Sequence, residues 1–242
     1  MLNILAGIIG GLLVIILAYF FAQNVLIGPD IREGLDYFKQ NFKSVSSLKQ
    51  DNQTDVGRWQ SLVAGTSISS VGIQSFKDNK IIKQGSGLIL SSDGLIITAY
   101  DNMPLSASIS QVFYGDKIYN PAIFARDYTK NLVLIKINAE NLNVSRLDQL
   151  NSLQSGDELL IVGTVPLISK PTIFSQRAML SYVTDRDVVL DTTPNYYIGG
   201  SKVVNSRGEV LGFAEIRSGR VTIVKSQDID IILKNYLSKA KR

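Results

Sequence analysis

The chain has 242 residues, of which 45% are hydrophobic and 19% charged, which is enough apolar material for a packed core and excludes a disordered or fibrous protein. The formal net charge is only +4 and the basic residues are scattered, so no nucleic-acid partner is expected. Cysteine and histidine are both absent, which excludes disulfides and cysteine zinc sites and removes the usual general base, so we expect neither a metal nor a cofactor.

The first element in the chain is an apolar run from Ile4 to Ala22 that contains no charged residue. As a helix it would span the roughly 30 Å hydrocarbon core of a bilayer. We therefore predict a transmembrane anchor over residues 1–27. A cleaved signal peptide is the alternative, but no basic region precedes the run and Phe20 stands where a cleavage site needs a small residue. The charges around the run specify orientation poorly and by themselves weakly favour a cytoplasmic domain.

Residues 28–60 are predicted to form a stalk and linker. Apolar residues recur near helical spacing at Ile31, Leu35, Phe38 and Phe42, with charges between them, which is typical of an amphipathic helix. This helix has three possible partners: the membrane surface, a copy of itself, or its own folded domain. The polar stretch 44–57 reads as a linker.

From about residue 61 to residue 242 the sequence has short β-branched runs separated by Gly, Asp and Asn. This pattern indicates an all-β barrel or sandwich. Hairpin turns are predicted at residues 91–94 and 206–209. One helix is predicted at the end of the chain, with Ser226 as its N-cap and an apolar stripe that includes Ile229 and Ile232 packed on the core.

Four blocks of this region carry a family resemblance. Gly85 to Thr98 reads GSGLILSSDGLIIT and resembles the segment that leads to the catalytic histidine of the HtrA/Deg family of trypsin-like serine proteases. The other blocks follow in the family's order and resemble its acid-bearing segment, the strand before its Gly-rich loop and its nucleophile segment. They are ARDYTKNLVLIKI from Ala125, SGDELLIVGTVP from Ser155 and NYYIGGSKVVNSRGEVLGF from Asn195.

The resemblance covers nearly all of residues 62–240 and implies a chymotrypsin/trypsin-like double β-barrel, with two six-stranded barrels around a cleft. With the anchor, this gives an all-β domain preceded by one transmembrane helix. No sequence remains for the PDZ domain that many relatives carry. The resemblance further implies a single-pass protein of the cytoplasmic membrane with an extracytoplasmic domain. It also implies that the protein forms a trimer.

The family's chemistry requires a serine, a histidine and an aspartate in one constellation. The resemblance puts the histidine position at Asp101, the acid position at Asn131 and the nucleophile position at Gly199. Tyr197 takes the place of a glycine whose turn supplies oxyanion amides, so that feature is also in doubt. We therefore expect a pseudoprotease, a catalytically inactive homologue that is not an enzyme.

A protein-binding or scaffolding role follows from this expectation. The candidate protein contact is Tyr196, Tyr197 and Ile198, although these residues would equally serve to fill the space left by the triad. The alternative is an active serine hydrolase that uses Ser201 with a lysine. The adjacent Lys202 is a poor partner, because neighbouring residues of a strand face opposite sides. A structural subunit of a membrane complex is a third possibility.

Overall fold

The computed structural model describes residues 57–148, 153–166 and 171–240, and Arg58–Arg242 form one folded unit. The predicted anchor at 1–27 and nearly all of the stalk at 28–60 lie outside the described residues. Among the residues that are described, no helix is both long and apolar enough to cross a membrane.

The described residues begin with helix α1, residues 57–67, and end with helix α2, Ser226–Ala240. A short 3-10 helix, Tyr100–Asn102, follows the third strand. The thirteen strands between α1 and α2 are β1 Ser70–Lys77, β2 Lys80–Ile89, β3 Leu95–Ala99, β4 Ile109–Tyr114, β5 Lys117–Tyr119, β6 Ala122–Asp127, β7 Leu132–Lys136, β8 Glu158–Pro166, β9 Pro171–Val183, β10 Val188–Asp191, β11 Lys202–Asn205, β12 Val210–Arg217 and β13 Arg220–Lys225.

Strands β1 to β7 form an antiparallel sheet in the order β5-β4-β1-β2-β3-β7-β6. Alternation along β1 sends Val71 and Ile73, both fully buried, into the core on one side of this sheet. The predicted turn at residues 91–94 joins β2 to β3. Gly94 has a φ of +101° there, and an added Cβ would meet the backbone of Ile137, so only glycine fits this position.

Strands β8 to β13 form a closed barrel in the order β10-β13-β12-β11-β8-β9. The hairpin between β12 and β13 turns through Ser218 and Gly219, which both have positive φ. Positive φ at both central residues is typical of the type I′ turn, whose twist matches the right-handed twist of the flanking strands. The other predicted turn, residues 206–209, joins β11 to β12.

The two sheets pack through β1, β2 and β8. Gln74 Nε2 donates to Pro166 O at 3.0 Å and Ser86 Oγ to Thr164 O at 3.1 Å. Beside this contact an apolar cluster gathers strands of both sheets and both helices, with Trp59 of α1 and Phe213 of β12 as its large members. Residues of both sheets and both helices therefore form one apolar core at the junction where the resemblance implies a cleft.

The all-β class and the C-terminal helix are confirmed, and the closed second barrel with the curled first sheet fits a trypsin-like fold. Two details differ from expectation. The first sheet has seven strands, and β5 and β6 do not pair. Only Asn120 and Pro121 link them, and proline cannot adopt the positive φ of the favoured type I′ turn. Ser226 is the first residue of α2 rather than a residue before it, and its Oγ donates to the carbonyl of Asp148.

Candidate active-site cleft

The three positions aligned with the family's triad lie around one cavity. Asp101 belongs to the 3-10 helix after β3, Asn131 to the turn before β7, and Gly199 to the loop before β11. The cavity has a volume of about 290 Å³, and its other lining residues include Lys83, Tyr196, Glu215 and Ile216. Residues far apart in the sequence are thus brought together at the junction of the two sheets.

Asp101 and Asn131 are in direct contact. Asn131 Oδ1 accepts the backbone N–H of Asp101 at 3.1 Å, and Asn131 Nδ2 lies 3.4 Å from Asp101 Oδ2. Asn131 has a φ of +53°, a left-handed conformation that asparagine tolerates better than most residues. Its carbonyl accepts the N–H of Tyr100 at 3.0 Å, so the turn is fixed on both sides.

Sequence reasoning missed Glu215, which is the best-buried acid of the cleft. It lies on β12, is 3% exposed and accepts a hydrogen bond from Asn131 Nδ2 at 2.7 Å. Arg217 forms an ion pair with it at 2.6 Å and Thr222 Oγ1 donates to it at 3.2 Å. A charged residue within the apolar run VLGFAEI was the available signal. The buried carboxylate beside Asn131 therefore comes from the second barrel, while position 131 itself carries an amide.

The loop around Gly199 is held by hydrogen bonds to its carbonyl. Asn102 Nδ2 donates to Gly199 O at 2.9 Å, and the Ser86 N–H donates to the same oxygen at 3.0 Å. A Cβ added at Gly199 would lie 3.2 Å from Asn102 Oδ1, so a side chain there would need a small shift of the asparagine. Gly200 has a φ of +78° and makes the turn into β11 possible.

The resemblance places an oxyanion amide at Tyr197. In the structure this N–H donates to Asn195 Oδ1 at 2.9 Å. Asn195 is fixed in turn, because its Nδ2 donates to Gln176 Oε1 at 2.6 Å. The amide is therefore already engaged and does not point freely into the cavity.

The predicted protein contact at residues 196–198 is divided between surface and core. Tyr196 is 55% exposed at the rim of the cavity, and its ring packs edge-on against the half-buried Tyr197. Ile198 is fully buried in the core of the second barrel, so it offers no surface to a partner. Tyr196 is the member of this set that faces solvent.

Ser201 and Lys202 are both fully buried and contact different groups. Ser201 Oγ donates to Ser86 Oγ at 3.2 Å, whereas Lys202 Nζ donates to Ser69 Oγ at 2.6 Å and to the carbonyl of Thr66. Burial lowers the pKa of Lys202 from its usual value to about 7. The two side chains do not meet. Within the described residues, no group of three potential metal ligands occurs either.

One wall of the cavity is an unpaired strand edge at Ile216. Ala214 donates its N–H to Ser201 O at 2.7 Å, and its carbonyl accepts from Gly200 N–H at 2.9 Å, both on the side away from β13. Backbone groups two residues apart on an antiparallel strand point to the same side, so those of Ile216 also face away from β13. Strand β11 pairs with β12 only as far as Phe213. The N–H and C=O of Ile216 therefore face the cavity.

The curled sheet, the closed barrel and the cleft between them fit the fold of the trypsin-like serine proteases. No protein-family model matches the chain. Individual proteins do match the chain. The chain is 23% identical over 165 residues to the serine endoprotease DegS of Haemophilus influenzae, and the match covers 65% of this chain and 48% of that protein. It is 26% identical over 137 residues to the putative serine protease HhoB of Synechocystis, covering 53% and 33%.

A mitochondrial serine protease HTRA2, from Drosophila erecta, is 30% identical over 169 residues, which cover 64% of this chain and 39% of that protein. The chain is therefore a homologue of the HtrA/Deg family of trypsin-like serine proteases, as its sequence motifs predicted. The matched regions span less than half the length of these relatives.

These relatives contradict one expectation. Asp101, Asn131 and Gly199 at the positions that the resemblance assigns to the triad led us to predict a pseudoprotease that is not an enzyme, yet the proteins that the chain matches are named serine proteases or endoproteases. That prediction is wrong. Imidazole is the usual base for a serine nucleophile, but lysine amines also serve, so a missing histidine does not exclude acyl transfer.

Proposed function

We propose that this HtrA/Deg homologue binds an extended polypeptide segment in the cleft between its two sheets. The observation that carries the proposal is the free backbone edge at Ile216, which faces a cavity of about 290 Å³. An extended peptide that pairs with this edge gains main-chain hydrogen bonds, and alternate side chains point into the cavity.

The side chains around the edge fit such a ligand. The half-exposed ring of Tyr196 stands at the rim and offers a large, rigid contact surface at low entropic cost. Two charged residues also line the cavity: Asp101 presents an exposed carboxylate, and Lys83 presents an exposed ammonium group. The cleft therefore combines main-chain pairing, an aromatic contact and charges of both signs, which suits polypeptide better than a small apolar molecule.

The test compares binding to fluorescein-labelled casein, an unfolded polypeptide, by fluorescence anisotropy. Ile216→Pro removes the free N–H, and Ile216→Val keeps it with a similar β-branched side chain, so the valine variant is the matched control. We expect the proline variant to lose at least about tenfold in affinity and the valine variant to bind like the unaltered chain. Equal binding by both variants would refute the cleft as the binding site. Release of acid-soluble fluorescence, followed in the same samples, measures cleavage separately.

We also propose that residues 1–27 anchor the chain in the cytoplasmic membrane and that the folded domain lies outside the cytoplasm. The apolar run from Ile4 to Ala22 supports the anchor. A C-terminal fusion to a reporter that is active only outside the cytoplasm tests the orientation, and size analysis of the detergent-extracted chain tests the expected trimer. An active cytoplasmic reporter at the same position would refute the extracytoplasmic orientation.

A further inference from the structure

The buried amine of Lys202 ties the second barrel to the segment that enters the folded domain. Its Nζ donates to the carbonyl of Thr66, at the end of α1, and to Ser69 Oγ, just before β1. Ser69 is itself fixed, because its carbonyl accepts from Ile89 N–H at 3.2 Å and from Ser145 Oγ at 3.1 Å. A single side chain on β11 thus closes a junction of four chain segments.

The surroundings of this amine are apolar. The strand partners opposite Lys202 are Val162 on β8 and Phe213 on β12, and both belong to the apolar cluster that also contains Trp59 of α1. Lys202 itself has no exposed surface. A charge at this point is therefore costly unless an acid is close by.

Charged side chains do exist on the elements packed around Lys202. They are Arg58 on α1, Arg146 and Asp148 after Ser145, Glu158 on β8, and Glu215 and Arg217 on β12. Arg146 and Asp148 are exposed, Glu158 pairs with Arg177, and Glu215 pairs with Arg217. The lysines of β1 and β2 lie at the far ends of their strands. In the described part of the chain, no carboxylate forms an ion pair with Lys202.

Hydrogen-bond counting favours the neutral amine at this site. A neutral amine has two N–H groups, and the structure supplies two acceptors, the Thr66 carbonyl and Ser69 Oγ. An ammonium group has three donors and would leave one without a partner among apolar side chains. The carbonyl at the end of α1 favours positive charge, but burial outweighs it and lowers the pKa of Lys202 to about 7.

We propose that Lys202 is a proton-controlled latch: the neutral amine holds α1 against the junction of the two sheets, and protonation releases α1. Release lets the ammonium group reach water. Because α1 connects the first 56 residues to the folded domain, a fall in pH would loosen this connection while the two sheets stay folded. The latch does not involve the cleft and stands independently of the proposed polypeptide binding.

Hydrogen exchange on the full-length chain tests the latch. Exchange rates for peptides covering residues 57–69, corrected for the intrinsic pH dependence, are compared between pH 8.5 and pH 5.5 with those for β7. We expect the corrected rates at 57–69 to rise by up to about tenfold per pH unit as the pH falls from 8.5 to about 7 and to level off at lower pH, because the closed form also binds the proton below the lowered pKa of Lys202, while β7 stays protected. In Lys202→Met, which keeps the length of the side chain, this rise should vanish. Lys117→Met, at an exposed lysine, is the matched control and should behave like the unaltered chain.

Fluorescence gives a second readout, because Trp59 is the chain's single tryptophan and lies on α1. A red shift of its emission on acidification is expected in the unaltered chain and in Lys117→Met. An identical pH profile in Lys202→Met would overturn the proposal. Should Lys202→Met fail to fold, the unaltered chain decides alone: equal changes at 57–69 and at β7, or none at 57–69, would also overturn it.

Discussion

Replacing Asn131 by aspartate puts a second carboxylate against the buried carboxylate of Glu215, in place of an amide that donates to it at 2.7 Å. At about 3 Å and an effective dielectric constant of about 20, two unit charges repel by roughly 5 kcal/mol. Protonating one carboxyl with an ordinary pKa near 4 at pH 7 costs roughly 4 kcal/mol. Protonation of one carboxyl costs less than repulsion between two carboxylates, so the cost of protonation is the upper limit of the destabilisation. The neighbouring Arg217 reduces the destabilisation further.

We therefore expect Asn131→Asp to lower the free energy of unfolding by roughly 2–4 kcal/mol at pH 7.5. Repulsion raises the apparent pKa of the carboxyl pair in the folded protein above its unfolded value. The variant is thus least destabilised below about pH 4, and the loss grows by up to about 1.4 kcal/mol per pH unit toward pH 7. Urea denaturation of the full-length chain, followed by far-UV circular dichroism, measures this at pH 5 and pH 7.5.

The double variant Asn131→Asp with Glu215→Gln exchanges the positions of carboxylate and amide, and it should recover most of the lost stability. Glu215→Gln alone provides the reference for the cycle. Two outcomes would refute the reasoning. One is Asn131→Asp with unchanged stability at pH 7.5. The other is a loss that is the same at pH 5 as at pH 7.5, because a purely steric defect would not depend on proton uptake.

Three further predictions concern the core, one turn and the buried amine. Phe213→Ala empties a fully buried site between the sheets and should cost roughly 3–5 kcal/mol in urea denaturation. Gly200→Ala should cost clearly more than Gly219→Ala, because both glycines have similar positive φ but only at Gly200 would a Cβ collide with the carbonyl of Ser86. The unaltered protein should gain roughly 2–3 kcal/mol of stability between pH 7.5 and 9.5, because the pKa of Lys202 is lowered and the unfolded chain therefore binds one more proton than the folded chain in that window. Lys202→Met should lack this gain. Equal losses of stability in the two glycine variants would contradict the second prediction. Parallel profiles of stability against pH with and without Lys202 would contradict the third.

The pairing of Asn131 with Glu215 gives a physical reason for an amide at the position that the resemblance assigns to the family's acid. An aspartate at 131 would face a carboxylate from β12 that is already held by Arg217 and Thr222. Asparagine has the same size as aspartate, and its Nδ2 donates a hydrogen bond to that carboxylate rather than repelling it. The asparagine at 131 and the glutamate at 215 therefore depend on each other.

Much of the fold could be predicted because it depends on local patterns. The run GSGLILSSDGLIIT predicted a hairpin, and Gly94 makes that turn with a φ that other residues avoid. The apolar stripe after Ser226 predicted α2. The resemblance also predicted that Asp101, Asn131 and Gly199 lie at one site, and the three residues do line one cavity.

Other features depended on contacts between residues far apart in the chain. The sequence by itself determined the class of fold, the turns at residues 91–94 and 206–209 and the resemblance to the family, because these follow from hydrophobic periodicity, turn residues and motifs that neighbouring residues carry. Only the tertiary structure decided that Glu215 reaches Asn131, that Ile198 is buried, and that Lys202 meets Ser69 rather than Ser201. Strand pairing across the two sheets sets these neighbours, and the pKa of a lysine follows from the surroundings that such pairing creates, which no local pattern records.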